Sequence, residues 1–177
     1  QLYRREAPHS AIGQPTISDV IWKDGANPVY GPVPQDIPSP YLSDAQKNNP
    51  YPFDIEKSKK LFADHGWKPG ADGVLVCEEA GTAENQCGEG VDKGTKMDLT
   101  MMVQSGSDEA DKQFAAMQSS FRDIGVAVTF DRAPLNTVLN RTAPCEADSA
   151  DCDWEFSYFG AAGSWYFPAY PTGERIF

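Results

Sequence analysis

At 177 residues, with 40% hydrophobic and 11% aromatic side chains, the chain is one domain's worth of sequence and is long enough to bury roughly 70% of its unfolded surface. Fifteen basic residues against 26 acidic ones leave a net charge of -11, which repels phosphate backbones and excludes nucleic acid as a partner. Fourteen prolines and 15 glycines argue against a compact helical bundle, and no apolar run approaches the ~20 residues of a membrane-spanning helix.

The first residues, Gln1 to Glu6, open without an initiator Met, so the sequence reads as a piece of a longer protein. Residues 1–25 carry one helical stretch, broken by Pro8 and by Gly13-Gln14-Pro15. A second helix is expected from Thr16, as cap, to Trp22, with Ile17, Val20 and Ile21 on one face. Residues 26–53 are proline-rich and read as extended chain lying along a surface; so long a loop usually wraps or functions. From residue 54 to 177 the pattern is that of an α/β core.

Asp54 caps a helix predicted over Ile55 to His65, with Ile55, Leu61 and Phe62 apolar and Lys57, Lys59 and Lys60 solvated; Gly66 stops it. Gly73 to Cys77 reads as a short buried strand. Alternation of Met97, Leu99, Met101 and Val103 against Asp98, Thr100, Met102 and Gln104 predicts a half-buried strand. Ser105 or Ser107 then caps a helix whose apolar face is Phe114, Met117, Phe121 and Ile124, ended by Gly125. Val126, Val128 and Phe130 alternate again, so the unit is strand, helix, parallel strand. A short helix is expected from Ala133 to Arg141, and Asp153 to Phe159 predicts an aromatic strand that ends at Gly160.

Four cysteines permit three pairings. The stretches between Cys77 and Cys87 and between Cys145 and Cys152 are short, polar and turn-rich, which favours pairing in sequence order over a zinc site. Two disulfides imply an oxidising compartment and hence a secreted or envelope protein.

Parts for covalent catalysis are missing, so the chain does not read as an enzyme. It has no G-x-S-x-G elbow and no H-E-x-x-H, and its two histidines, His9 and His65, sit beside a proline and at a helix end. Asp148, Asp151 and Asp153 read as a solvated acidic loop rather than a calcium site, and Asp72 as a turn residue. No phosphate cradle is present, and neither a cofactor nor a metal is implied. The feature that remains is aromatic: Tyr158, Phe159, Trp165, Tyr166, Phe167 and Tyr170 crowd the carboxyl end of the last strand, where open α/β sheets hold ligands.

Taken in order, these features resemble the extracellular solute-binding protein family 5, the peptide-type binding proteins of ABC importers. The matching runs are Arg5-Glu6-Ala7, Ala11-Ile12, Ile17-Ser18-Asp19-Val20-Ile21, Gly25-Ala26-Asn27-Pro28-Val29 and Gly31-Pro32-Val33-Pro34. Asp54 to Phe62, Gly66-Trp67, Asp72-Gly73-Val74, Phe114 to Val126, and Asp153-Trp154 through Gly160 continue the pattern. Order and spacing, over nearly the whole chain, carry the resemblance.

The resemblance implies an α/β lobe with a mixed sheet and helices on its faces, one of the two lobes of a periplasmic-binding-protein-like (class II) fold, here as residues 1–177. It further implies a missing partner lobe, a small solute or peptide as ligand, an importer permease as partner, and a location outside the cell membrane, lipid-anchored in the full-length protein. The ligand wall would comprise Tyr158, Phe159, Gly160, Ala161, Ser164, Trp165 and Tyr166. Peptide-binding members usually carry a tryptophan after the glycine matched by Gly160 and an aspartate three residues later; here Ala161 and Ser164 stand there. Without that carboxylate a free peptide amino terminus has no charge partner, and Trp165 and Tyr166 would supply stacking instead, as for a sugar or a bulky peptide. The competing expectation is a stand-alone secreted carbohydrate-binding or adhesion module with the aromatic tail as its platform.

Overall fold

The structure is a computed structural model that describes residues 2–23, 25–31, 33, 35, 38–142 and 152–158. Among these, the elements run α1 (Tyr3–Ser10), α2 (Gln14–Ile17), a π-helical turn (Ser18–Trp22), α3 (Asp44–Lys47), α4 (Ile55–Asp64), β1 (Trp67–Pro69), β2 (Leu75–Cys77), β3 (Asp98–Gln104), α5 (Asp108–Asp123), β4 (Ala127–Ala133), α6 (Leu135–Thr142) and β5 (Phe156–Tyr158). The architecture is mixed α/β, as expected, and the two kinds of strand pairing fall in separate sheets. β1 and β2 form an antiparallel ribbon, whereas β3 lies between β4 and β5 with both pairings parallel. An antiparallel bridge between Val76 and Lys96 links the two sheets. No helix among the described residues is long and apolar enough to cross a membrane.

The signals that defined α4 and α5 are those that hold their ends. The Asp54 carboxylate accepts the Lys57 N–H at 2.8 Å and the Ser107 hydroxyl accepts the Ala110 N–H at 3.2 Å, each satisfying a first-turn donor with no helical partner. Gly125 ends α5 at φ 79°, where a Cβ would lie 2.7 Å from the Leu75 side chain, so both conformation and space demand glycine. Phe114, Met117 and Phe121 then pack under β3 and β4 with Met101, Val103, Val126 and Val128.

Four sequence expectations need correction. Pro8 does not break α1, although it removes the donor that the Arg4 carbonyl would use. Burial explains the persistence of the helix: Tyr3, Ala7 and Ser10 are buried, α1 packs on α4, and the buried Ser58 hydroxyl donates to the Ala7 carbonyl at 2.8 Å. The second helix starts at Gln14 rather than Thr16, with Pro15 in its first turn, and it widens into the π-helical turn at Ser18. That change of pitch breaks the predicted face: Ile17 packs on the core while Val20 is 67% exposed. β3 is covered on both faces, because Met102, on the expected solvent side, is fully buried with Ala133 and Val138. Trp67–Pro69, unassigned in the sequence, is a strand because Trp67 is buried opposite Cys77.

Cys77 and Cys87 are joined, as expected, and both are completely buried. Cys152 is also disulfide-bonded; Cys145, its expected partner, lies outside the described residues. Around the first bridge a polar chain closes the fold: the Trp67 indole donates to the Tyr3 hydroxyl at 2.8 Å, which donates to the Cys87 carbonyl at 2.7 Å. His65 stacks on Tyr3 with ring centroids 3.8 Å apart, and its Nδ1 lies 2.6 Å from the Leu61 carbonyl oxygen. His65 is therefore a packing residue at the end of α4. Asp72 is the expected turn residue, accepting the Val74 N–H at 3.1 Å, and it also pairs with Lys96 at 2.5 Å.

Candidate functional site

The sequence places β5 so that it leads into the aromatic run, and the structure shows how β5 is held. Glu155 accepts the Thr100 N–H at 2.6 Å and donates its own N–H to the Thr100 carbonyl at 2.9 Å. Arg141 on α6 bridges Asp131 and Asp153, both at 2.7 Å, and so ties β4 to the segment before β5. These contacts set Phe156, Ser157 and Tyr158 beside Met101, Met102 and Val103 in parallel register.

Beside β5 lies a cleft of about 440 Å³. One wall is formed by the end of α1, α2, the π-helical turn and residues 26–29; the other comes from Met101, α5 and β5. Gln113 joins the two walls. Its Oε1 accepts the Trp22 indole N–H at 2.8 Å, across 91 positions of sequence, and its side chain also hydrogen-bonds Tyr158. Burial pushes the Tyr158 phenol above its ordinary pKa, and the hydrogen bond with Gln113 pulls it part of the way back. Tyr158 is fixed from below by an edge-on contact with Phe114, centroids 5.1 Å apart. On the opposite rim His9 stacks on Tyr51 at 5.3 Å, and burial lowers the His9 pKa, favouring the neutral ring.

The π-helical turn shapes this wall. Turns of this kind are rare, occur often at functional sites, and here one ends at Lys23, whose φ of 50° makes it the only non-glycine left-handed residue among those described. Ser18 and Trp22, four positions apart on this turn, both line the cleft, and the Ser18 hydroxyl donates to the Ala26 carbonyl, which ties the turn to residues 26–29 of the same wall.

Of the predicted site residues, Tyr158 lines the cleft; Phe159, Gly160, Ala161, Ser164, Trp165 and Tyr166 lie outside the described residues. Sequence reading missed Trp22, Gln113, Ser18 and Asn27. The signal available was Gly25-Ala26-Asn27-Pro28-Val29, noted as a motif but not assigned to a wall. Among the described residues no group of three or more His, Cys, Asp or Glu side chains is placed to hold a metal.

Residues 4–174 match the family described as bacterial extracellular solute-binding proteins, family 5 Middle. The chain belongs to this family. No curated protein matches it. Several solved structures share the fold of this family 5 chain. An oligopeptide-binding protein from Thermus thermophilus, complexed with a pentapeptide, is 21% identical with a TM-score of 0.57, over 77% of this chain and 20% of that one. NikZ from Campylobacter jejuni, in complex with Ni(L-His), is 21% identical with a TM-score of 0.57, over 80% of this chain and 25% of that one. A periplasmic oligopeptide-binding protein from Thermotoga maritima, bound to mannohexaose, is 13% identical with a TM-score of 0.56, over 78% of this chain and 24% of that one. The chain thus spans a fifth to a quarter of these proteins and has the fold of part of one lobe of a two-lobed periplasmic binding protein.

Proposed function

We propose that the protein carrying this chain is the extracellular solute-binding component of an ABC importer, which closes two lobes on a peptide or related small solute and hands it to the permease. Residues 1–177 supply one ligand-binding lobe. The full-length protein is anchored by lipid outside the membrane, and it binds its solute without transforming it. Family membership over residues 4–174 supports this reading against a stand-alone adhesion module. The observation that carries the site is the cleft at the end of β5, walled by Tyr158.

In this proposal the residues that follow, Phe159, Gly160, Ala161, Ser164, Trp165 and Tyr166, complete the ligand wall. Glycine and alanine leave room for a ligand to approach backbone amides, and an indole or phenol covers its apolar face. Trp165→Ala in the full-length protein should weaken solute binding by up to about 100-fold, the scale of a buried aromatic anchor, with little change in Tm. Calorimetry and thermal melting together check it. A destabilised fold with unchanged affinity would make Trp165 a core residue and move the site elsewhere.

A further inference from the structure

The cleft wall has a chemical character that the net charge of the chain does not suggest. With 26 acidic and 15 basic residues in the sequence, none of the described residues lining the cleft is Asp, Glu, Lys or Arg. Its polar groups are amides, hydroxyls, an indole and the His9 imidazole, which is stacked on Tyr51 and kept toward its neutral form by burial, and several of the others are engaged with one another. Trp22 donates to Gln113, Gln113 bonds Tyr158, and Ser18 donates to the Ala26 carbonyl. The remainder is apolar, including Ile17, Met117 and Phe156.

We infer that this wall selects an uncharged, polyhydroxylated solute, a neutral oligosaccharide. The inference rests on the solute-binding reading above and narrows its ligand class. A charged group taken from water into the cleft would lose its hydration, and the described residues of this wall hold no carboxylate, ammonium or guanidinium to replace it. Hydroxyls lose far less, and neutral amide and hydroxyl side chains are the partners they need. The apolar face of a sugar ring stacks on an indole or phenol, which Trp22 and Tyr158 provide from opposite walls, joined through Gln113. The volume of about 440 Å³ falls within the range of roughly 300–1,000 Å³ that small-molecule sites occupy.

The test uses the full-length protein and three probes: maltotriose with mannotriose as neutral oligosaccharides, zwitterionic trialanine, and Ni(II) with L-histidine. Calorimetry should show binding of a neutral oligosaccharide and at least tenfold weaker binding of the other two. Gln113→Glu keeps an acceptor for the Trp22 indole but puts a charge in the cleft, and it should weaken oligosaccharide binding at least tenfold. Val29→Glu does the same from an exposed position on the rim, so it guards against misfolding of the first variant. Binding of trialanine or the nickel complex without oligosaccharide overturns this inference and leaves the importer reading standing. Oligosaccharide binding that neither variant changes overturns the assignment to this cleft. Binding of none of the three overturns both the ligand class and the solute-binding reading.

Discussion

The end of the lobe strapped by Cys77–Cys87 and the end that opens at β5 are both rich in aromatic side chains, yet they use them differently. At the strapped end Tyr3, Phe62 and Trp67 are buried to 5% exposure or less, and the Tyr3 hydroxyl is paired on both sides. At the open end Trp22, Phe156 and Tyr158 stay half-exposed, and a single amide, Gln113, spans the gap between the walls. The contrast separates two tasks: the closed end stores the stability that lets the other end remain hollow. A cavity forfeits the contacts its lining would make, so a lobe can keep one only where other packing offsets the loss.

Four measurements probe that division. The largest effect is expected at Phe62, 1% exposed and edge-on to both Tyr3 and Trp67: Phe62→Ala should cost about 3–5 kcal/mol in urea denaturation. A loss below 1 kcal/mol would mean that the closed end does not carry the fold. Replacing Cys77 and Cys87 together by alanine releases a ring with a sequence separation of 10 and should cost roughly 2–3 kcal/mol by the same assay. Trp22→Phe at the open end loses one half-buried hydrogen bond to Gln113, and about 0.5–1.5 kcal/mol is expected. If Trp22→Phe proves costlier than the cysteine pair, the two ends have exchanged roles.

The smallest effect concerns Asp72, at the turn before β2. Its hydrogen bond with Lys96 and the Val74 N–H hold its carboxyl below the ordinary value of 3.8. Because the folded pKa is the lower one, its contribution is present above about pH 3.8 and is lost as pH falls through the folded pKa. Carboxyl NMR titration should show the depressed value, and Lys96→Met should raise it.

Where one residue's chemistry decides the structure, the sequence was legible. Asp54 announced one helix start and the pair Ser105 or Ser107 another, of which Ser107 is the cap; Gly66 and Gly125 announced stops, and the alternation in residues 97–104 announced β3. The α/β class and the sequential pairing of Cys77 with Cys87 followed from the same local signals. The failures lie where distant packing overrides a local rule. Pro8 reads as a breaker until α4 is packed against its helix, and Met102 reads as solvent-facing until α6 arrives behind it. The cleft was harder still. Trp22 and Gln113 meet across 91 positions, and nothing in the periodicity of either helix brings them together. Of the expected ligand wall, Tyr158 is the member that falls among the described residues, and it lines the cleft near the end of the strand expected over Asp153 to Phe159.

The pairing of Trp67 with Cys77 has an optical consequence. An indole beside a disulfide passes an electron to it from the excited state and emits weakly, and one held away from water emits at short wavelength. Trp67 is 3% exposed and stands opposite Cys77 across the antiparallel ribbon, so its emission should be dim and blue while the strap is closed. Trp22, half-exposed at the far end of the lobe, has no such neighbour in the Cys77–Cys87 bridge. Trp67 therefore reports on this bridge: a rise in blue emission when Cys77 and Cys87 are replaced by alanine would mark the loss of the strap without any label.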